Sequence, residues 1–387
     1  MVRACAITDK GLEKIALLEV EELLGVRGRA EERVVIFNCK SFQDLFKFCY
    51  MSQSVERVLL LLFSDFKFRD YDELLAKAEA AFKKSVLNEW FEKDKSFRVE
   101  CKRIGEHAFG SQAVEKSLGK KIIFKVKKEV GFMLRASMES PELTIYVFIN
   151  NNKAYVGVDL IGRDLSKRQY RVFSAPGMIN ANLAYAIIRL SNYSPRKRLV
   201  NVLCKEGVVC IEAALYASGL SINYYSKDFA FKKLKPFENK DWDEFFKKID
   251  SKRKKLSKLN ILGLDPLLRN VEAAKKNSKL AGADKIISFS KMSIEWLDTK
   301  LDKESVDIIV SRLPCPSKHT SEATMKKLYK ELFYQAEFVM KKGGKLVFLT
   351  EHAWLLKKML PPKFKLVKED ELWAGKQKYE VIIINKL

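Results

Sequence analysis

Apolar and polar positions alternate in two different periods along the first part of the chain. Residues 12–24 carry apolar side chains at every third or fourth position and end at Gly25, which predicts a helix. The run RVVIFN that follows has the apolar character of a buried strand, and SFQDLFKFCY predicts a second helix. We therefore predict a small α/β region over residues 1–65.

A second unit is predicted over residues 66–164. It contains a lysine-rich helix around Tyr71–Ser85, a strand at Ser96–Cys101 and a helix at Ser111–Gly119. The unit closes with LTIYVFI and KAYVGVDL, two alternating segments on either side of an asparagine triplet. Asparagine tolerates the left-handed turn conformation, so these segments predict a β-hairpin.

Residues 165–182 read as a basic connector, and a third unit is predicted over residues 183–387. In this unit, short apolar runs alternate with helical patterns, which predicts a mostly parallel, doubly wound sheet. We expect its long helix EATMKKLYKELFYQAEFVM to stop at Gly343 and Gly344, and the last two apolar segments to form an antiparallel edge hairpin. The lysine-rich stretch Lys232–Lys258 is interpreted as a solvated insertion.

Composition favours a globular protein outside the membrane. Apolar residues make up 47% of the 387 residues, and no apolar run reaches the roughly 18–20 residues of a membrane span. The first residues do not resemble a signal peptide. The seven cysteines are scattered without zinc-ligand spacing, so we expect reduced core thiols and no metal site. These features predict a soluble, cytoplasmic protein.

The charge distribution favours a polyanionic partner. The net charge is +23, and residues 165–387 hold 44 basic and 24 acidic side chains, against 28 and 25 in residues 1–164. Such an excess attracts nucleic acid through phosphate neutralisation and counterion release. Solubility alone, or a general preference for lysine, remains an alternative explanation.

Candidate chemistry lies where the predicted parallel strands end, because ligands of doubly wound sheets bind at the carboxyl ends of the strands. The first such end is LVNVLCKEGVVCIEAAL, a strand, a tight turn and a helix. The second is Asp265, which could accept hydrogen bonds from ribose hydroxyls or cap the following helix. The third is Ser293. The fourth is the proline-containing loop at Arg312–Pro316, which we interpret as an active-site rim.

The order of these features resembles a known family. The segments FRVECKRIGEHAFGSQAVEKSLGKKI and YVGVDLIGRDLSKRQYRV, together with the cofactor-type sheet, resemble the archaeal THUMP-domain tRNA guanine-N2 methyltransferases. The resemblance covers nearly the whole chain. It implies an N-terminal ferredoxin-like region, a THUMP domain that holds tRNA, and a Rossmann-like domain that uses S-adenosylmethionine to methylate the N2 atom of a guanine.

The first loop departs from the family pattern D-P-x-C-G-S-G-T. Asn201 stands for the aspartate, and Lys205 and Glu206 stand for Gly-Ser, whereas Cys204 and Gly207 keep their identity. The glycines matter because the methionine part of the cofactor approaches bare backbone, which two long charged side chains would obstruct.

The remaining strand ends also differ from the family. Asp265 matches the acidic residue that, in the family, binds the ribose hydroxyls of the cofactor. Ser293 stands where the family has an acid that accepts a hydrogen bond from the adenine amino group. The family's N-P-P-Y or N-L-P-Y motif becomes Arg312-Leu313-Pro314-Cys315. The family mechanism, as the resemblance implies it, uses the Asn oxygen to accept from the guanine amine and the aromatic ring to stack on the base. Arginine offers no acceptor, and cysteine cannot stack.

Three functions remain open. The first is a tRNA-binding protein of this family whose methyl transfer is weakened or lost, and which acts as a chaperone or beside an active methyltransferase subunit. The alternative is an active tRNA methyltransferase with altered geometry. A module for another nucleotide is the weakest reading, because the loop is not a Walker sequence. S-adenosylmethionine is the expected cofactor only if the protein is active.

The candidate RNA contacts are Lys167, Arg168, Tyr170 and Arg171 in the connector, and Lys120 and Lys121 in the middle unit.

Overall fold

The computed structural model describes residues 2–254, 256, 258–318 and 320–387. The strands are β1 (Val2–Ile7), β2 (Gly28–Glu31), β3 (Val34–Cys39), β4 (Arg57–Leu61), β5 (Phe66–Lys67), β6 (Ser96–Ile104), β7 (Arg135–Ala136), β8 (Leu143–Asn150), β9 (Lys153–Asp159), β10 (Leu199–Val202), β11 (Ile261–Asp265), β12 (Ser288–Lys291), β13 (Val306–Arg312), β14 (Met340–Thr350), β15 (Phe364–Ala374) and β16 (Gln377–Lys386). The helices are α1 (Glu13–Leu24), α2 (Phe42–Met51), α3 (Tyr71–Ala80), α4 (Lys84–Trp90), α5 (Ser111–Glu129), α6 (Ala181–Leu190), α7 (Val208–Ser218), α8 (Trp242–Asp250), α9 (Leu268–Leu280), α10 (Glu322–Val339) and α11 (Ala353–Lys358).

The two N-terminal units share one sheet. Its order is β2-β3-β1-β4-β9-β8-β6-β7, with β5 beside β9. The antiparallel pair β4–β9 joins the two units, and α1, α2, α3 and α5 contribute to one common apolar core. The predicted helix ending at Gly25 is confirmed, and so is the hairpin around the asparagine triplet, formed by β8 and β9.

The insertion packs against the N-terminal units, so its interpretation as a solvated excursion is wrong. Phe237 and Trp242 enter the same core as Phe46, with ring centroids 4.9 and 5.3 Å from that ring. The hydroxyl of Tyr50 donates to Asp250 at 2.7 Å. On α8, Lys247 and Lys248 are exposed, while Trp242 and Phe246 of the same helix are buried and supply its apolar face. Positions 255 and 257 of this stretch lie outside the described residues.

The C-terminal sheet has the order β12-β11-β10-β13-β14-β16-β15. Strands β10 to β14 pair in parallel, and β15 and β16 form an antiparallel edge hairpin, which confirms both predictions. The predicted helix is confirmed to within one residue, as α10, but the glycine pair does not stop it and lies within β14. The helix ends early because Met340 is already extended and pairs with Val306. In the described part of the chain, no helix has both the length and the apolar character needed to cross a membrane.

Candidate functional site

The loop after β10 has an unusual backbone. Leu203 and Lys205 adopt left-handed conformations, with φ of 53° and 52°, and Gly207 follows with φ of 83°. A Cβ atom at Gly207 would lie 2.8 Å from Cβ of Ala274 and 3.0 Å from the Phe289 ring. Glycine is therefore required at this position. Lys205, in contrast, holds a glycine-type conformation at an estimated cost of about 1–2 kcal/mol.

Asp265 ends β11 beside this loop, and both oxygens of its carboxylate accept hydrogen bonds from the chain itself. Oδ2 accepts from the backbone N–H of Lys205 at 2.9 Å, and Oδ1 accepts from the N–H of Leu267 at 3.0 Å and from Nδ2 of Asn270 at 2.9 Å. Only 1% of Asp265 is exposed. The carboxylate thus ties the first loop to the start of α9, although the N-cap of that helix is Leu267 and not Asp265.

The other side chains of the first loop point into the protein. Glu206 is buried and pairs with Nη2 of Arg171 at 3.0 Å; burial raises the pKa of its carboxyl above the usual range, although Arg171 opposes that shift. Asn201 donates from Nδ2 to the carbonyl of Val310 at 2.9 Å, on the neighbouring strand. Burial raises the pKa of the Cys204 thiol well above its usual range, so the thiol stays protonated.

Arg312, at the end of β13, points toward two fixed partners. One guanidinium nitrogen donates to the carbonyl of Gly177, and another pairs with Oε1 of Glu351 at 2.5 Å. The guanidinium lies 5.7 Å from the centre of the Tyr379 ring. Arg312 therefore holds the connector against the ends of β13 and β14, and its charge is balanced by Glu351.

The loop after Arg312 is anchored by its own neighbours. Leu313 is buried and donates its N–H to Leu349, and the carbonyl of Pro314 accepts from the Tyr329 hydroxyl at 2.5 Å. The Cys315 sulfur lies 3.0 Å from the Thr350 hydroxyl. The fourth loop is thus attached to α10 through Tyr329 and to β14 through Leu349 and Thr350, with cysteine in the position where the family motif has an aromatic ring.

The third strand end joins the same edge. The backbone N–H of Met292 donates to the carbonyl of Asp265 at 2.9 Å, which brings half-buried Ser293 next to the second strand end. The structure thus gathers the predicted positions after β10, β11, β12 and β13 at one edge of the sheet.

The connector crosses this edge. The backbone N–H of Phe173 donates to Oδ1 of Asn277 on α9 at 3.0 Å. In return, Nδ2 of Asn277 donates to the carbonyl of Phe173 at 2.8 Å. Four residues further on, Gly177 accepts from Arg312. The connector is therefore attached to both sides of the edge, at α9 and at β13.

Two predicted RNA contacts are wrong. Arg168 and Tyr170 are each only 5% exposed. Arg168 Nε pairs with Glu212 at 2.9 Å and Nη2 donates to the carbonyl of Gln53 at 2.6 Å, while the Tyr170 hydroxyl donates to Glu212 at 2.6 Å. These groups form a buried polar network between the first unit, the connector and α7. A basic sequence pattern could not distinguish a guanidinium that binds phosphate from one that neutralises a buried carboxylate.

The other RNA candidates differ in availability. Lys167 and Lys120 are exposed. Arg171 is engaged with Glu206, and Lys121 pairs with Glu79 at 2.6 Å. Lys167 and Lys120 therefore remain the better candidates of the set.

Sequence reasoning missed two residues of the site. Asn270 lies on the first turn of α9, five positions after Asp265, and Glu351 follows the apolar run of β14. Glu351 did carry a sequence signal, because it is the polar residue directly after β14, a further parallel strand. Asn270 carried no comparable signal.

These residues do not fit S-adenosylmethionine in the observed arrangement. The one acid retained for a ribose is buried and accepts three hydrogen bonds from the chain. The first loop carries half-buried Lys205 where close backbone approach requires a small residue, whereas Glu206 turns inward to Arg171. Arg312, already paired with Glu351, offers only hydrogen-bond donors where the family motif has an amide acceptor.

The fold and the gathered strand ends define a Rossmann-like methyltransferase domain. The chain belongs to the family described as RMKL-like, methyltransferase domain, whose model matches residues 168–377, and a THUMP domain matches residues 68–159. The predicted α/β fold, with a THUMP domain N-terminal to a Rossmann-like methyltransferase domain, is confirmed.

Individual relatives agree with this assignment. The chain is 27% identical to a tRNA (guanine(6)-N2)-methyltransferase of Methanocaldococcus jannaschii, covering 93% of each chain. It is 26% identical to a protein of the same name from Archaeoglobus fulgidus, covering 91% of this chain and 84% of that one. Among solved structures, the putative methyltransferase SMU.472, complexed with SAH, superposes with a TM-score of 0.83 at 23% identity, covering 100% of this chain and 98% of the other.

Proposed function

We propose that this chain is a tRNA-binding protein of the THUMP-domain methyltransferase family in which methyl transfer is weakened or lost. The observation that carries the proposal is the buried carboxylate of Asp265, which accepts hydrogen bonds from the first loop and from α9. A cofactor ribose would have to replace these bonds and open a side chain that is 1% exposed. Losing buried hydrogen bonds to a charged group costs about 1.5–3 kcal/mol each.

The fourth loop supports the same proposal. The position where the family has an amide acceptor for the guanine amine holds Arg312, which has only donors and is already paired with Glu351. Removing one well-placed polar group from a reaction centre costs about 10²–10³ in rate. Here the acceptor at Arg312 and the stacking ring at Cys315 are both replaced.

Binding of tRNA is supported by the domain content and the charge. The THUMP domain is present, the net charge is +23, and the archaeal relatives carry names of tRNA methyltransferases. We propose a cytoplasmic protein that acts as a tRNA chaperone or beside an active methyltransferase subunit. S-adenosylmethionine is not a working cofactor in this proposal.

Two assays on the full chain test the proposal. Gel-shift titrations compare unmodified tRNA with random duplex RNA of equal length, and we expect at least tenfold tighter binding of tRNA. The same tRNA is then incubated with radiolabelled S-adenosylmethionine, and we expect no methyl incorporation. Equal affinity for both RNAs would remove the tRNA-binding part of the proposal.

Methyl incorporation into tRNA would establish the alternative, an active enzyme. The variant Asp265→Ala provides the control for that outcome. Incorporation that disappears in this variant would arise from the site described here, whereas incorporation that persists would come from a contaminating enzyme.

A further inference from the structure

Helix α5 of the THUMP domain has one apolar face and one basic face. Val114, Leu118, Ile122 and Val126 recur at every fourth position and are fully buried. The opposite face of the helix carries exposed residues at the complementary positions, namely Lys116, Lys120, Phe124 and Lys127. We call this opposite side the α5 basic face.

The lysines of the α5 basic face are free to bind an anion. Their neighbours are not: Lys121 pairs with Glu79 at 2.6 Å, and Lys125 donates to the carbonyls of Glu79 and Phe82. Among the described residues, none forms an ion pair or a hydrogen bond with the side chains of the three face lysines. Basic and acidic residues nearly balance over residues 1–164, so this concentration of unpaired charge is local.

Phe124 stands among these lysines with 65% of its surface exposed. Lys120 lies one helical turn before it and Lys127 three residues after it, so their side chains flank the ring on the same face. A single exposed apolar residue needs no explanation by itself. An exposed aromatic ring between unpaired cations, however, matches the combination by which proteins bind single strands, stacking on bases and ion pairing with phosphates.

We propose that the α5 basic face binds single-stranded RNA, with Phe124 stacked on an unpaired base and the lysines on the adjoining phosphates. The inference rests on the proposed tRNA binding and names a surface for it. Single-stranded RNA is favoured over duplex RNA because a paired base does not expose its face to an aromatic ring. A protein partner is disfavoured because it would have to neutralise three cations around an apolar contact, whereas RNA supplies both the anions and the ring.

The test uses fluorescence anisotropy of the full chain with a short fluorescein-labelled single-stranded RNA of mixed sequence and with the corresponding duplex. Phe124→Ala should weaken binding of the single strand about fivefold to hundredfold, and Phe124→Tyr should restore it, since stacking tolerates any aromatic ring. Lys120→Gln should lower the slope of log affinity against log salt by about 0.7, whereas Phe124→Ala should leave that slope unchanged.

Tyr334→Ala is the matched control, because Tyr334 is equally exposed, at 68%, but lies on α10 of the other domain. It should not change the affinity. If the wild-type chain binds RNA and Phe124→Ala binds it equally well, the inference is overturned while the proposed function survives. Loss of self-association in Phe124→Ala, measured by sedimentation with RNA affinity unchanged, would overturn it in favour of a protein interface. A wild-type chain that binds no RNA would overturn both.

Discussion

The backbone N–H of Lys205 donates a 2.9 Å hydrogen bond to Oδ2 of Asp265, and this bond connects the loop after β10 to the end of β11. Oδ1 of the same carboxylate is held by Leu267 and Asn270. In a working site of this family, an acid at this strand end would bind the cofactor. Here the acid stabilises the loop instead. The proposed loss of methyl transfer follows from this use of the acid.

Restoring small residues in the first loop should restore cofactor binding. In the double variant Lys205→Gly with Glu206→Ser, the left-handed backbone at position 205 becomes unstrained and the small residues of the family pattern return at both positions. We expect S-adenosylmethionine to bind at least tenfold more tightly than to the wild type, measured by calorimetry. Adding Asp265→Ala to the double variant should abolish the gain. An unchanged double variant would show that these side chains are not the obstacle.

Substitution of Arg168 should lower the free energy of unfolding, whereas substitution of its neighbour Lys167 should hardly change it. Arg168→Met leaves the buried Glu212 without its cation, which costs about 3–5 kcal/mol when one partner of a buried pair is removed. Lys167→Gln should leave the free energy of unfolding within about 0.5 kcal/mol, because the side chain is exposed. Urea denaturation measures both. A stable Arg168→Met protein with reduced RNA affinity would return Arg168 to the RNA-binding residues.

The connector illustrates what sequence can and cannot predict about the site. Its basic pattern indicated a functional segment, and the strand-end positions were correctly gathered at one edge of the sheet. The pattern could not show that Arg168 faces Glu212, because that contact joins positions 44 residues apart that only the tertiary fold brings together. The contact of Arg312 with Gly177 was hidden for the same reason, since these residues lie 135 positions apart.

Asp9 should make stability depend on pH. Burial and the neighbouring Glu56 raise the pKa of Asp9 from 3.8 to about 7, against the opposing hydrogen bond from Asn182 on α6. The folded state therefore holds a proton that the unfolded state loses between about pH 4 and 7, so the free energy of unfolding falls as the pH rises through that window. Above pH 7 this contribution is constant.

The variant Asp9→Asn isolates this effect. Denaturant titrations at several pH values should show a slope of up to about 1.4 kcal/mol per pH unit that is present in the wild type and missing in the variant. Identical pH profiles for the two proteins would mean that folding does not change the pKa of Asp9.

Phe246, on α8 of the insertion, should be as important for stability as a residue of the N-terminal core. It is fully buried, and its ring lies 4.8 Å from Tyr50. Phe246→Ala should lower the free energy of unfolding by about 3–5 kcal/mol. Lys247→Ala is the control, because Lys247 is the exposed neighbour of Phe246, and it should hardly change the free energy of unfolding. A tolerated Phe246→Ala would support the solvated insertion that the lysine-rich sequence indicated.

Regular elements were easier to predict than their ends and their partners. The parallel sheet and both hairpins could be predicted from the spacing of apolar residues, because that signal lies within each segment of the sequence. The end of α10 does not, since Met340 leaves the helix to pair with Val306 rather than because a glycine stops it. The insertion was misjudged because its aromatic residues form no long periodic run, and their apolar partner, α2, lies in another unit.

The most direct test of the central claim is calorimetric titration of the purified wild-type chain with S-adenosylmethionine, on a sample that is folded and binds tRNA. With the Asp265 carboxylate held by Lys205, Leu267 and Asn270, we predict no measurable heat of binding at high protein concentration. Micromolar binding to the unaltered protein would contradict the account, because the acid and its loop would then open for the cofactor.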